Sequence, residues 1–216
     1  MAARIRRNGV LAQLGRGDRS CDGAPDRRGW ITRLPGVVGA MCAGVARLWE
    51  ESGRPSRLHV LGIGTAGDEV CLSLLRWAGR TGVDIAITRL ERDAWAGGRA
   101  GHRLAGDPRV RGMRGDPQNL PPASADVVAA ALVLHRLPAI QVPWTLLHWR
   151  QTARIGVVAV EPVCAPAVWA GRARGGRASD VAELRSYPGL EGLQYRRNPW
   201  FCCEITLGGG PPPCGT

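Results

Sequence analysis

The stretch that decides the fold is RLHVLGIGTAGDEVCLSLLRWAG, residues 57–79. Its first part, RLHVLGI, is a short apolar run that predicts a buried strand. Its last part, DEVCLSLLRWAG, has apolar residues at three- and four-residue steps and predicts a helix. Between them lies a glycine turn, where the backbone can approach a ligand closely because no side chain intervenes. The unit predicts either a nucleotide-binding turn or a tight connection without a ligand.

The rest of the chain continues this alternation of strands and helices. Strands that alternate with helices indicate a parallel sheet covered on both faces. Near the end, two strand-like pieces are separated only by Asn198-Pro199, which is too short for a crossover helix, so these two strands must be antiparallel. The predicted strands after the first are 83–90, 109–115, 125–134, 154–162 and two within 192–207, and the predicted helices are 36–51, 68–80, 93–106, 143–153 and 180–189.

Composition limits the class of protein. The chain has 216 residues, of which 44% are hydrophobic and 22% charged, as expected of a globular protein. The net charge is +11, but all 29 basic residues are arginines scattered along the chain, which disfavours nucleic acid as the partner. The longest apolar runs are too short for a membrane span. Seven cysteines without zinc-site spacing indicate reduced thiols, a cytoplasmic location and no metal site.

The chain divides into three parts by composition. Residues 1–29 are rich in Arg, Gly and Asp without periodicity and predict a loose basic arm. Residues 30–207 carry the strand and helix patterns and predict the folded domain. Residues 208–216 are rich in Gly and Pro and predict a flexible tail.

Two acidic residues follow predicted strands. Glu91 ends the second strand, 24 residues after Gly67, where a carboxylate can accept hydrogen bonds from both hydroxyls of a ribose. Asp116 follows the third strand, where it can accept from an adenine amino group. Each also has a purely structural interpretation: Glu91 as a solvated surface carboxylate, and Asp116 as a turn-capping residue before Pro117.

Residues 57–161 resemble a class I S-adenosylmethionine-dependent methyltransferase of the small-molecule type. The resemblance lies in HVLGIGTAGDEV (59–70), AITRLERDA (86–94) and VRGMRGDPQNLPPASADVVAAALVLHRLP (110–138), of which the last is the most specific. It implies a three-layer Rossmann-like fold with a mostly parallel seven-stranded sheet and an antiparallel last strand. It further implies S-adenosylmethionine as the cofactor and a small molecule as the methyl acceptor.

The resemblance also implies roles for individual residues. A histidine leaving the fourth strand, His135, would act as a general base if the acceptor is a hydroxyl, or would only shape the pocket. His148, on the following helix, is interpreted as a surface or packing residue. The residues that would bind the cofactor are Gly62, Gly64 and Gly67 at the methionine part and ribose, Glu91 at the ribose, Asp116 and Pro117 at the adenine, and Ala131 beside the sulfonium.

One departure from the family pattern concerns the acid that usually precedes the glycine turn. Gly62 or Val60 stands in its place, and we hypothesise that Asp68 or Glu69 at the start of the helix replaces it. The missing acid favours an alternative: a catalytically impaired protein of the same fold that binds a ligand or a partner. A nicotinamide-linked oxidoreductase is disfavoured by the terminal antiparallel strands and the absence of a Tyr-x-x-x-Lys pair, and RNA modification is favoured only by the charge. The sequence carries no signature of a particular acceptor or oligomeric state.

Overall fold

The computed structural model describes residues 35–64, 68–91, 104, 106–162, 178–198 and 202–209. The predicted arm at residues 1–29 lies outside these ranges, as do residues 210–216 of the predicted tail. Gly67 and nearly all of the predicted helix at 93–106 also lie outside them.

The described ranges contain four α-helices, seven strands and two short 3₁₀ helices. No described helix is long and apolar enough to cross a membrane. The helices are α1 (Pro35–Glu51), α2 (Asp68–Thr81), α3 (Val142–Thr152) and α4 (Ala178–Arg185), with the 3₁₀ helices η1 (Leu134–Arg136) and η2 (Ala139–Gln141). The strands are β1 (Arg57–Ile63), β2 (Asp84–Glu91), β3 (Val110–Arg114), β4 (Ala125–Ala131), β5 (Ala153–Pro162), β6 (Gln194–Asn198) and β7 (Cys202–Gly208).

The described strands form one sheet in the order β3-β2-β1-β4-β5-β7-β6. Strands β1 to β5 are parallel, whereas β7 is antiparallel to both of its neighbours, β5 and β6. This confirms the predicted mostly parallel sheet with an antiparallel last strand. The chain order reverses between β1 and β4, and in open α/β sheets ligands bind at the carboxyl ends of the strands beside such a reversal.

Helices cover both faces of the sheet, because each strand buries apolar side chains on alternate sides. On one face, Met41 and Val45 of α1 and Leu74 of α2 pack in a cluster with sheet residues such as Val60. On the other face, a second cluster joins α3, α4 and the opposite side of the same strands. The apolar stripes predicted for α1 and α2 are therefore the buried ones, and the three-layer arrangement is confirmed.

The cysteines of the first cluster are thiols in an apolar layer. Cys42 and Cys71 form no disulfide within the described part of the chain. Burial raises the pKa of both Cys42 and Cys71 to about 11. Both thiols therefore stay protonated and unreactive at neutral pH, as is usual for buried cysteines that act as small core side chains.

Strand β4 ends earlier than the sequence pattern predicts. The apolar run ADVVAAALVL predicts a strand to residue 134, but β4 ends at Ala131. Leu132 takes a left-handed conformation with φ of 58°, and Leu134–Arg136 form η1. From Val127 to Leu134 the run is apolar throughout, so hydropathy does not mark the end of the strand. The backbone turns after Leu132 because the N–H groups of Val133, Leu134 and His135 bond to the carboxylate of Glu161 on β5.

The end of β1 lies very close to the end of β4. Gly64 has φ of 61°, and a Cβ at this position would lie 2.4 Å from Cγ2 of Val133 and 3.0 Å from the carbonyl oxygen of Ala131. A side chain of any size would therefore force the two strand ends apart. The glycine is required here both by conformation and by space.

We expect Gly64→Ala to destabilise the protein more than Gly53→Ala. Gly53 also has a positive φ, 87°, but has nothing within 4 Å of its Cβ direction, so its substitution carries only the conformational penalty. That penalty is about 1–2 kcal/mol, and overpacking at Gly64 adds roughly 1–3 kcal/mol. Urea unfolding of the two variants measures the difference. Equal losses would show that the strand ends separate without strain.

Candidate active site

The structure places most of the predicted site positions at one edge of the sheet. Gly62 and Gly64 lie at the carboxyl end of β1, Glu91 at that of β2, and Ala131 at that of β4. Asp116 follows β3 by two residues. Because these four strands are adjacent and parallel, their carboxyl ends share the edge at which the chain order reverses.

The strongest polar cluster at this edge is built around Glu161 at the end of β5. Its side chain is 1% exposed. Oε1 accepts from the N–H groups of Val133 at 2.9 Å and Leu134 at 2.8 Å, and Oε2 accepts from the N–H of His135 at 3.2 Å. The carboxylate therefore satisfies the first N–H groups of η1, for which Val133 supplies no side-chain cap.

The same carboxylate orients the ring of His135. Nδ1 of His135 lies 2.7 Å from Oε2 of Glu161. A carboxylate that already accepts backbone N–H groups acts as an acceptor here as well, so Nδ1 is the protonated nitrogen. In the neutral ring the lone pair then lies on Nε2. The His135 side chain is 29% exposed, so Nε2 is the basic atom of a ring that is held in place and is still accessible.

The start of α2 carries a buried ion pair. Oδ1 of Asp68 lies 3.4 Å from Nη1 of Arg89 on β2, and their side chains are only 7% and 11% exposed. Arg89 is directly opposite Gly62 in the parallel register, so both residues face the same side of the sheet. Of the two positions at which the resemblance implies an acid, Gly62 and Val60, the first is thus a glycine beside an arginine, and the acid that pairs with this arginine is Asp68.

Asp116 caps the turn that follows β3. Its Oδ1 accepts the N–H of Gln118 at 2.9 Å, and its backbone carbonyl accepts the N–H of Asn119 at 2.9 Å. The carbonyl oxygen of Pro117 accepts the indole N–H of Trp149 at 3.1 Å. Asp116 is thus a turn-capping residue, as its structural interpretation predicts. Its role towards an adenine stays a prediction, and a single turn-capping bond leaves that role open.

Other predicted residues are only partly described. The structure gives the backbone of Glu91, paired with Arg114 of β3, but not its side chain, and Gly67 lies outside the described residues. Glu69 is half-buried on α2. Within the described part of the chain, no group of three or more His, Cys, Asp or Glu side chains could hold a metal ion.

Two site residues were missed by sequence reasoning. Glu161 is a lone acid that closes an apolar strand, which is the same sequence signal that indicates Glu91. Arg89 is an arginine inside a predicted strand, and nothing in its neighbours in sequence indicates its partner at residue 68. Both side chains bond to residues that only the folded sheet brings near.

Comparison with known proteins reveals similarity in structure alone. No protein-family profile matches the chain, and no curated protein matches it in sequence. Among solved structures, the chain is similar to the CMeT domain of the citrinin polyketide synthase, with a TM-score of 0.66, 16% identity, and coverage of 88% of this chain and 59% of that one. It thus spans well under two thirds of that protein's length.

The chain is also similar to two further solved structures. Magnesium protoporphyrin IX methyltransferase (ChlM) from Synechocystis PCC 6803, solved with bound SAH, has a TM-score of 0.59 at 16% identity, with coverage of 88% of this chain and 90% of that one. PigF with SAH has a TM-score of 0.60 at 16% identity, with coverage of 83% and 56%. Together with the strand order, these likenesses show that the chain has the class I methyltransferase fold, as the sequence resemblance implies.

We expect Glu161→Gln to destabilise the protein, since an amide cannot replace both acceptor oxygens. Its NH₂ group would face the N–H of His135 or those of Val133 and Leu134, leaving buried donors unpaired. Lost charge-assisted bonds and unpaired donors together predict a loss of about 2–4 kcal/mol in the free energy of unfolding. The measurement is urea unfolding, with Glu183→Gln on the exposed side of α4 as the matched control. A loss no larger than that of the control would contradict the inferred role.

Proposed function

We propose that the protein is an S-adenosylmethionine-dependent methyltransferase that acts on a small molecule carrying a hydroxyl group. The observation that carries the proposal is the His135 ring, which follows β4 and is oriented by Glu161 of β5, on a segment whose Val133 lies beside the sterically required Gly64. A glycine turn and a basic nitrogen thus flank the same strand ends. A general base at this place would assist methyl transfer to a hydroxyl oxygen.

The residues present fit the cofactor. Gly64 leaves no side chain at the end of β1, so the backbone there can approach the methionine part and the ribose closely. Glu91 would accept hydrogen bonds from the ribose hydroxyls, and Asp116 with the backbone at Pro117 would frame the adenine. The structures of the Synechocystis methyltransferase with bound SAH and with bound SAM support the same cofactor for this fold.

Asp68 would serve the amino group of the methionine part. Its carboxylate lies at the start of α2, the end of the helix that follows the glycine turn. Arg89 fixes one oxygen of this carboxylate, which limits the positions that the other can take. Asp68, whose carboxylate is positioned by Arg89, would thus replace the acid that the resemblance implies before the glycine turn.

The chain's own chemical step is proton transfer. When bound, S-adenosylmethionine would supply an electrophilic methyl group for the acceptor oxygen, with its sulfur as the leaving group. Nε2 of His135 takes the proton of the acceptor hydroxyl. The carboxylate of Glu161 stabilises the resulting imidazolium through Nδ1–H, because the two groups lie 2.7 Å apart. Alignment of the two substrates supplies the remaining acceleration.

The alternative is a protein of the same fold that binds the cofactor or a partner without turnover. The observation that favours it is that Gly62 or Val60 stands where the resemblance implies an acid before the glycine turn. The two functions differ in one result: only an active enzyme forms a methylated product from a panel of phenols, quinols and acids.

We expect SAH to stabilise the protein against heat. At a concentration 100 times its dissociation constant, a ligand adds about 2.7 kcal/mol to the free energy of unfolding. Glu91→Ala and Asp68→Ala should each weaken SAH binding in calorimetry, because each removes a carboxylate that would hold it. The matched control is Asp84→Ala, at the other end of β2, whose exposed carboxylate lies 3.7 Å from Arg57. Stabilisation by NADH and not by SAH would overturn the proposal.

We expect His135→Gln to retain SAH binding and to lose turnover. Removal of a general base lowers the rate by roughly 10²–10⁴-fold. The measurement is release of SAH with the best acceptor of the panel. His59→Gln is the control, because His59 bonds to Thr88 within the sheet through Nε2 at 2.8 Å and takes no part in the proposed chemistry. Unaltered turnover in His135→Gln would show that the ring only shapes the pocket.

A further inference from the structure

The loop between β3 and β4 is attached to α3 by three hydrogen bonds. The N–H of Leu120 donates to Nε2 of His148 at 3.2 Å. The indole N–H of Trp149 donates to the carbonyl oxygen of Pro117 at 3.1 Å, and the N–H of Ala123 donates to the carbonyl oxygen of Gln151 at 2.9 Å. This loop begins with Asp116 and Pro117, the residues proposed to frame the adenine. The shape of the adenine site therefore depends on α3.

Only one of these three attachments involves a titratable group. Nε2 of His148 accepts a hydrogen bond, so it carries the lone pair, and the proton of the neutral ring lies on Nδ1. A protonated imidazole has N–H groups at both nitrogens and cannot accept from Leu120. The bond between Leu120 and His148 thus exists only while the ring is neutral.

The surroundings of His148 favour the neutral ring. Burial lowers the pKa of His148 below its usual 6.5, and the charge of Asp116 on the loop opposes this shift in part. On α3 itself, Arg150 is directed elsewhere, with its guanidinium donating to the carbonyl oxygens of Gly189 and Gly208.

The strands and the 3₁₀ helix that α3 packs against bring no further charge to the ring. Asp126 and Arg154, at the starts of β4 and β5, pair with each other at 2.7 Å. Glu161, at the end of β5, is bonded to His135. The 3₁₀ helix η2, AIQ, contains no charged residue.

We propose that His148 is a positioning residue for the cofactor: its neutral ring holds the loop that follows β3 in the shape that binds adenine, and its protonation releases that loop. The inference rests on the proposed function and adds a residue that acts through the loop and not by contact with the cofactor. It makes cofactor affinity depend on pH through a residue outside the catalytic pair of His135 and Glu161.

The sign of the effect follows from the direction of the shift. A histidine whose pKa is lower in the folded state than in the unfolded state stabilises the fold fully above the unfolded value of 6.5. That contribution is lost as the pH falls from this value to the lowered folded value. Cofactor affinity follows the same direction, because binding to the ordered loop requires the neutral ring.

The test measures SAH affinity by calorimetry at pH 8 and at a lower pH at which the NMR titration of the histidine rings shows His148 to be protonated. Loss of one hydrogen bond that orders the loop predicts about three- to tenfold weaker binding at the lower pH in the wild type. His148→Gln supplies an amide oxygen that accepts from Leu120 at either pH, so its affinity should not change with pH. His148→Leu lacks an acceptor and should bind weakly at both. His59→Gln, the matched control, should keep the pH dependence of the wild type.

Three results would overturn the inference, and they are distinguishable from failure of the proposed function. An undiminished pH dependence in His148→Gln would show that another group is responsible, as would wild-type affinity at pH 8 in a folded His148→Leu. Absence of SAH binding to the wild type at pH 8 would instead remove the proposed function, and the inference with it.

The wild type supplies an independent measurement that needs no substitution at residue 148. By reciprocity, a ligand that prefers the neutral ring must lower the pKa of His148 when it binds. Proton NMR of the histidine rings, of which the chain has four, follows this titration with and without SAH, with His59→Gln, His102→Gln and His135→Gln for assignment. A pKa of His148 that saturating SAH leaves unchanged would overturn the inference.

Discussion

The arrangement of the site depends on one buried carboxylate. Glu161 is almost fully shielded from water, and such a charge is tolerated only when its oxygens are bonded. The bonds come from three consecutive backbone N–H groups and one imidazole, all on the segment that leaves β4. The requirement to satisfy this charge therefore determines where the segment turns, and the turn determines the direction in which the His135 ring points.

A second constraint connects this segment to the turn after β1. The space beside Gly64 is filled by Val133, and Val133 is one of the residues that Glu161 holds. Leu132, which directly precedes Val133, has a positive φ. Strained backbone of this kind persists where the surroundings over-determine it, and such places are frequent in functional sites. Three strand ends, those of β1, β4 and β5, are thus positioned by one set of contacts.

The fold could be predicted from the sequence because it is indicated by local features, namely the spacing of apolar residues and the lengths of connections. Apolar residues at helical spacing mark the buried faces of α1 and α2, and the short Asn198-Pro199 connection is enough to require an antiparallel pair. The end of β4 was not readable, because Leu132, Val133 and Leu134 are as apolar as the strand before them. What stops the strand is a carboxylate that lies 26 to 28 residues away in sequence.

The site was readable only in part for the same reason. Acids at strand ends are visible as a pattern, which led to Glu91 and Asp116. The partners of Asp68 and His148 are Arg89 and Leu120, which are 21 and 28 residues away. Those pairs follow from strand order and from the packing of α3 on the loop after β3, and neither is encoded in local spacing.

The position of β7 has a consequence for how the protein folds. This strand follows every other described strand along the chain, yet it lies between β5 and β6 in the sheet. Until residues 202–208 leave the ribosome, β5 is an open edge with unpaired N–H and C=O groups beside the segment that carries Glu161. A nascent chain therefore cannot pair all its strands in the order in which they are made. Before β7 is in place, the edge of β5 is the part most exposed to pairing with other chains.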